Sequence, residues 1–157
     1  MKKFLYLLFA LPMLMLSACH DDDDVPNVDL DIQFSNVIVK DNIIYAVQGE
    51  PITIESVTLV NHTDKKGTIG VVSYYWDYQR VGSEVVSPYT ATFETAGEPV
   101  GNHVLSLDCG IYVEDYPVCF GAAQFPVKIV ASADDLPDDG EEDPTITNFA
   151  TITKEAK

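Results

Sequence analysis

Residues 102–130, NHVLSLDCGIYVEDYPVCFGAAQFPVKIV, contain two mainly apolar stretches separated by a polar turn. Alternate positions along the two stretches are apolar and in phase: Leu105, Leu107 and Cys109 in the first, and Cys119, Ala123, Phe125, Val127 and Ile129 in the second. This period of two residues is typical of β-strands that bury one face. The segment therefore predicts a β-hairpin that turns around Glu114 and buries one of its faces.

The phase of this hairpin also concerns two cysteines. If the chain turns at Glu114, Cys109 and Cys119 lie directly opposite each other, close enough for a disulfide bond. Such a bond would stabilise the domain by about 2–3 kcal/mol and stiffen the hairpin tip. We predict that the bond forms; the alternative is two independent buried thiols.

The surrounding residues 28–131 are rich in Val, Ile, Thr, Tyr and Phe, and no long stretch has helical periodicity. Turn signals recur at short intervals, for example at Asp41-Asn42 and Asp64-Lys65-Lys66-Gly67. The predicted strands are 37–47, 52–60, 71–78, 89–95, 102–113 and 118–130. Short strands with such turns predict an all-β fold, a β-sandwich of about seven strands.

Alternation also assigns the faces of the strand over 71–78. Trp76 lies on the same side as Val72 and Tyr74, and we expect its large ring to pack in the core. A platform for a sugar is the alternative for Trp76. Tyr75 points to the opposite side and is a candidate glycan-stacking residue.

Three segments carry a family resemblance. Residues 71–82 (VVSYYWDYQRVG), Ser87-Pro88-Tyr89, and residues 100–105 (VGNHVL) resemble the bacterial immunoglobulin-like domain over about residues 49–130. The resemblance implies an immunoglobulin-like sandwich used for spacing, adhesion or recognition, with no catalytic residues. The chain departs from that pattern at Tyr78, where the family often has a turn glycine, and in its paired cysteines.

The N-terminus has the features of an export signal. Lys2 and Lys3 precede an apolar run over 4–16, and Leu16-Ser17-Ala18-Cys19 follows. This order predicts a cleaved signal peptide over 1–18, and the run is short for a transmembrane helix. The last four residues resemble the lipobox of bacterial lipoproteins, which implies acylation of Cys19; a secreted protein is the alternative. An exported protein would also carry its remaining cysteines into an oxidising compartment.

Four aspartates, Asp21 to Asp24, follow the predicted lipid anchor. A dense block of like charge stays solvated and extended, so we expect an acidic tether over 19–27. The run also resembles the acidic tag of surface lipoproteins in Gram-negative bacteria. We therefore expect an outer-membrane, lipid-anchored protein exposed at the cell surface, with its domain over 28–131 and an acidic, flexible C-terminal tail over 132–157.

Charge narrows the choice of partners. Without residues 1–18, seven basic residues remain against 25 acidic ones, a net charge of −18, and such a surface repels nucleic acid. Seven of the acidic residues lie in 134–143. We interpret this segment as a solvated linker, and weak calcium binding is the alternative. Because the segment lacks the spacing of an EF-hand, we predict no metal site. Residues 145–153 could form a strand that docks on a partner, or a frayed tail.

The sequence contains no motif for catalysis or for a cofactor. None of its three histidines stands in a recognisable catalytic pattern, and we expect His103 to be a structural residue at a strand start. The leading hypothesis is a non-enzymatic binding, adhesion or assembly component of the cell envelope. Its candidate contact residues lie at the hairpin tip: Tyr112, Glu114, Asp115 and Tyr116. The alternative is a carbohydrate-binding accessory lipoprotein of a glycan-uptake system that stacks sugars on Tyr75, Tyr112 or Tyr116.

Overall fold

The structure is a computed structural model that describes residues 25–142, 144–146 and 150–154. The predicted signal peptide, the lipidation site Cys19 and most of the predicted tether lie outside these residues. Among the residues that are described, none forms an apolar helix of membrane-spanning length.

The described residues form twelve strands and one short 3-10 turn, Ala133–Asp135. The strands are β1 (Val28–Ser35), β2 (Ile38–Lys40), β3 (Ile43–Val47), β4 (Ile52–Asn61), β5 (Gly67–Trp76), β6 (Gln79–Glu84), β7 (Ala91–Phe93), β8 (Gly101–Val113), β9 (Cys119–Val130), β10 (Glu141–Glu142), β11 (Thr145–Ile146) and β12 (Ala150–Lys154). Strands β1 and β6 are absent from the strands predicted above. Strand β1 nevertheless has the alternation of a strand with one buried face. Its buried apolar residues, each followed by a polar one, are Val28, Leu30, Ile32 and Phe34.

The strands pair into two sheets. The small sheet has the order β11-β1-β4-β7, and the large sheet has the order β10-β2-β3-β9-β8-β5-β6, with β12 also paired to β9. Strand β8 runs antiparallel to both of its neighbours, whereas β3 runs parallel to β9. The predicted fold, an immunoglobulin-like β-sandwich, is confirmed.

The core lies between the two sheets. Phe34 of the small sheet packs edge-on against Phe125 of the large sheet, with ring centroids 5.2 Å apart and planes at 81°. Along β8, Leu105, Leu107 and Ile111 are at most 1 % exposed. The predicted alternation of the hairpin is therefore confirmed, because its apolar positions face the small sheet.

The predicted disulfide bond is wrong. Cys109 pairs with Gly121, and Cys119 pairs with Ile111, so the cysteines are diagonal neighbours rather than opposite ones. Diagonal positions lie about 7–8 Å apart, beyond the usual Cα separation in a disulfide. In the described part of the chain both cysteines are buried and no disulfide joins them. The reason is the turn, which is centred on Asp115 with its φ of 70°, one residue later than predicted.

The acidic C-terminal segment contributes strands to both sheets. Strand β10 pairs with β2, β11 with β1, and β12 with β9. Lys40 forms an ion pair with Asp139 at 2.5 Å, just before β10. The described residues within 145–153 thus pair with strands of this same chain.

Candidate binding surface

One face of the large sheet points away from the core and combines aromatic rings with polar side chains. From His103 to Ile129 the odd-numbered residues of β8 and β9 are buried and the even-numbered residues are not, so the even-numbered residues point outward. We define the outer face by five of these outward residues and by Tyr75 of β5, which pairs with Ser106; the five are Ser106, Asp108, Tyr112, Phe120 and Gln124. Cross-strand pairing places Ser106 between Tyr75 on β5 and Gln124 on β9, so these side chains share one row.

Tyr75 is held in place by Asp108. Its hydroxyl donates a hydrogen bond to Oδ2 of Asp108 at 2.7 Å. This bond raises the pKa of Tyr75, because ionisation would remove the donor and place two negative charges side by side. A shallow depression of about 350 Å³ lies beside the pair and is also lined by Ser106 and Gln124. Its hydroxyl, carboxylate and amide groups supply hydrogen-bond donors and acceptors.

Tyr112 lies further along the outer face and is 49 % exposed. A Cβ atom added at Gly70 would stand 2.7 Å from Cε2 of Tyr112, and one added at Gly110 would stand 3.4 Å from it. The ring therefore covers two glycines whose lack of a side chain gives it room. Phe120 pairs across from Gly110 and is 40 % exposed, so the outer face continues as exposed aromatic surface.

The other three predicted contact residues differ from Tyr112 in their surroundings. Asp115 forms an ion pair with Nζ of Lys65 at 2.6 Å, and the N–H of Glu114 donates to the carbonyl of Lys66 at 2.9 Å. Tyr116 is partly buried and packs against the core. The hairpin tip is thus fastened to the β4–β5 loop, and its stacking capacity is reduced to Tyr112.

His103 lies at the opposite end of β8, and it is 7 % exposed. Its Nε2 lies 2.8 Å from the carbonyl oxygen of Pro99, and its Nδ1 lies 2.8 Å from Oδ2 of Asp77. A carbonyl and a carboxylate are both acceptors, so this geometry favours the doubly protonated form of the ring. Burial lowers the pKa of His103, but the bonds to Pro99 and Asp77 outweigh it, and the pKa is raised overall.

Asp77, the partner of His103, also forms hydrogen bonds that join the β5–β6 turn to β8. Its Oδ1 accepts a hydrogen bond from the N–H of Val104 at 2.8 Å, while its own N–H donates to the Val104 carbonyl at 2.8 Å. The contact fixes the β5–β6 turn to the start of β8. His103 is therefore a structural residue at a strand start, as the sequence indicates.

A metal ion is the other possibility for this corner. Asp77, Glu98 and His103 each offer a ligand atom within 4.8 Å of the others. A histidine binds a metal through a deprotonated nitrogen, whereas both nitrogens of His103 face hydrogen-bond acceptors here. The geometry favours an ion pair over a metal site.

Trp76 packs at the margin of the core. Its ring stacks on His103 with centroids 5.2 Å apart and planes at 21°, and its centroid lies 5.9 Å from that of Phe93. Its Nε1–H is enclosed and has no acceptor among the described residues. A buried donor without a partner costs about 1–3 kcal/mol. The indole is thus less well accommodated than the rings deeper in the core.

The described residues offer little for nucleophilic catalysis. His62 pairs with Asp29 at 2.8 Å and His103 with Asp77. In this part of the chain neither imidazole has a hydrogen bond to a hydroxyl or a thiol. The arrangement needed to activate a serine or a cysteine is therefore not present there.

The sequence patterns led to Tyr75 and Tyr112 but not to the polar residues around them. These polar residues occupy even positions of β8 and β9, as Phe120 does, and so lie on the side opposite the buried apolar residues: Ser106, Asp108 and Gln124. That phase was available from the sequence and would have grouped these residues on one face. The register that sets Gln124 beside Ser106 depends on the turn between β8 and β9, and it could not be derived from the apolar pattern of the sequence.

No protein-family model matches the chain, and no curated protein matches it. Among solved structures, the chain is similar to the fibronectin(III)-like modules of Clostridium thermocellum CbhA. The identity is 23 %, the match covers 61 % of this chain and 93 % of that chain, and the TM-score is 0.35.

Proposed function

We propose that this protein is a non-enzymatic recognition module of the cell envelope, anchored to the outer membrane through a lipid at Cys19. The apolar leader ending in Leu16-Ser17-Ala18-Cys19 supports the anchor. The lack of a recognisable catalytic motif in the sequence supports a non-catalytic role. The domain then serves to present a surface rather than to carry out a reaction.

The observation that carries this proposal is the outer face of the large sheet. It holds two partly exposed aromatic rings, Tyr112 and Phe120, beside the hydrogen-bonded pair of Tyr75 and Asp108. Exposed tyrosines among polar groups are typical of protein recognition surfaces, because the ring supplies contact area with little loss of side-chain entropy. A rigid sheet holds these groups without reorganisation on binding.

Photo-crosslinking in cells tests the surface. A photoreactive phenylalanine analogue at position 124 lies on the outer face, and the same analogue at position 58 lies on the exposed side of the small sheet. We expect a discrete crosslinked partner from position 124 and a much weaker one from position 58. Equal products from both positions, or none from position 124, would contradict the outer face as the contact surface.

Mass spectrometry of the purified protein tests the anchor separately. We expect an N-terminal fragment that begins at Cys19 and carries acyl chains, with Cys19→Ala leaving the protein unprocessed or unanchored. Two or three acyl chains hold a protein at a membrane far more firmly than one. A full-length protein with an unmodified cysteine would refute the anchor and leave the outer face untouched.

A second candidate function is carbohydrate binding on the same face. The specific observation is the depression beside Tyr75, where Asp108, Ser106 and Gln124 place polar groups next to an aromatic ring. A sugar presents hydroxyls along its edges and C–H groups on its faces, so it needs this combination. The volume of about 350 Å³ is within the range of roughly 300–1,000 Å³ found for small-ligand sites.

Calorimetric titration with surface glycans distinguishes the two functions. If the depression binds a glycan, Tyr75→Ala and Gln124→Ala should each weaken binding about tenfold or more. Tyr116→Ala is the control, because Tyr116 packs on the core rather than on the outer face. Glycan binding that survives both outer-face changes would exclude this site.

A further inference from the structure

The two sheets leave an opening between their edge strands. Strand β6 ends the large sheet and β7 ends the small sheet, and a cavity of about 360 Å³ lies between them. We call this opening the seam. Tyr74, Trp76 and Phe93 contribute aromatic rings to its wall. Its volume falls within the roughly 300–1,000 Å³ range of ligand sites.

The seam is negatively charged. Glu84, Glu94 and Glu98 also line it. Glu98 lies close to His103, whereas Glu84 and Glu94 have no ion-pair partner within the described part of the chain. Aromatic ring faces together with carboxylates are the groups that bind an organic cation, an ammonium or a guanidinium.

The free edge of β6 indicates how such a cation would arrive. All six residues of β6 are exposed, and the strand pairs only with β5 in the described sheet. Its other edge therefore has backbone donors and acceptors available for another strand. Val81 is 56 % exposed, and Val85 and Val86, just beyond β6, are 67 % and 68 % exposed. Added strands commonly use such an edge for main-chain pairing and neighbouring pockets for alternate side chains.

We propose that the seam receives a lysine or arginine side chain from an extended segment of a partner protein that adds to β6 as a new strand. Main-chain pairing with β6 orients the segment, and its inward side chain enters between Trp76 and the carboxylates of Glu84 and Glu94. A second copy of this chain does not fit, because its net charge of −16 repels an acidic seam. The partner is therefore a protein with a basic extended segment, and this inference is independent of the lipid anchor and of the outer face.

The fluorescence of Trp76 reports on occupancy, because Trp76 is the single tryptophan of the chain. Three short peptides are titrated: one alternates lysine and threonine, one alternates glutamate and threonine, and one is the lysine peptide with alternate amides N-methylated. We expect the lysine peptide to change the emission in a saturable way and the glutamate peptide to have no effect. We expect N-methylation to weaken binding at least about tenfold by removing main-chain donors. Equal binding of the N-methylated and unmodified lysine peptides would rule out strand addition.

A charge-matched pair of variants assigns the site. Glu84→Gln/Glu94→Gln removes two carboxylates from the seam, and Asp64→Asn/Asp134→Asn removes two exposed carboxylates elsewhere. We expect about a tenfold or greater loss of affinity for the lysine peptide in the first variant and a change within about twofold in the second. Equal losses in both variants would reduce the interaction to general charge attraction and overturn the proposal. So would a lysine peptide that leaves the fluorescence unchanged at saturating concentration.

Discussion

Phe125 and Trp76 lie in one row of the large sheet, on either side of Leu105, yet their surroundings differ. Phe125 is 1 % exposed and packs edge-on against Phe34 of β1, a strand of eight residues. Trp76 faces β7, which has only three residues, and it lines the seam. The length of the facing strand thus decides whether a row is closed by packing or left open.

The comparison also shows two ways to stabilise a sandwich. On the closed side, between β1 and β9, the contact is made by apolar groups such as the rings of Phe34 and Phe125. On the open side, the ion pair of His103 and Asp77 and the hydrogen bonds to Pro99 and Val104 hold the turn beside Trp76.

Truncation of the two rings is the strongest test of this difference. Phe125→Ala should lower the free energy of unfolding by about 3–5 kcal/mol, because it leaves a cavity inside packed apolar groups. Trp76→Ala should lower it by less than about 3 kcal/mol, because Trp76 already borders a cavity and loses an unpartnered donor. Urea denaturation measures both values. Equal losses would show that the two sides are equally packed, and Tyr78→Ala, at a ring that is 72 % exposed, is the surface control.

Two glycines give a matched test with a smaller effect. A Cβ added at Gly121 would stand 2.9 Å from Cδ1 of Ile111 and 3.0 Å from Cδ1 of Leu30, whereas one added at Gly82 meets nothing within 4 Å. Gly121→Ala should therefore destabilise the domain by about 1–3 kcal/mol. Gly82→Ala, on the edge strand beside the seam, should change stability by no more than about 0.5 kcal/mol. Two similar values would contradict the close packing of the closed side.

The ion pair of the open side should make stability depend on pH. The pKa of His103 is raised in the folded protein above the unfolded value of about 6.5, so the folded state binds the proton more tightly. The contribution of protonated His103 to the free energy of unfolding is fully present below pH 6.5, and it is lost as the pH rises through the folded pKa. In a His62→Gln background, unfolding by urea should become easier over this interval. The additional change His103→Gln should remove the dependence, and a slope that persists in that variant would assign it to another group.

The smallest effect concerns the cysteines of the closed side. Burial raises the pKa of the Cys109 thiol to about 11, so little thiolate is present at neutral pH. The folded protein should therefore react slowly with a thiol reagent. In denaturant, Cys109 and Cys119 should both react. If neither cysteine reacts in the unfolded protein without reductant, the two are joined by a disulfide bond, contrary to the register of β8 and β9.

Local patterns predicted the hairpin of β8 and β9 because each strand buries alternate residues whatever it pairs with. They failed at its register because the position of the turn depends on Asp115, whose left-handed conformation leaves no mark on the apolar phase. A shift of one residue in the centre of the turn moves the opposite residue by two, and this separated Cys109 from Cys119.

The candidate binding surfaces were harder to predict, because they depend on neighbours that are distant along the chain. Tyr75 and Asp108 are 33 residues apart and meet only when β5 pairs with β8. The seam needs the ends of two sheets, including β6, which has no buried residue and so no apolar pattern. Hydrophobic alternation identifies strands with a buried face and overlooks those whose importance lies at an edge.

The segment between β6 and β7 is fastened at one end by a pair of tyrosines. Tyr74 donates its hydroxyl to the carbonyl of Tyr89, and Tyr89 donates its own hydroxyl to the carbonyl of Ile69 at 2.9 Å. Pro88 is tied to the small sheet through the N–H of Val57 at 2.9 Å. These anchors do not use the side chains of Val85 and Val86, although the carbonyl of Val86 accepts a hydrogen bond from the N–H of Tyr89 at 2.9 Å. A protein engineer can therefore exchange these two exposed side chains and expect the scaffold around them to stay intact.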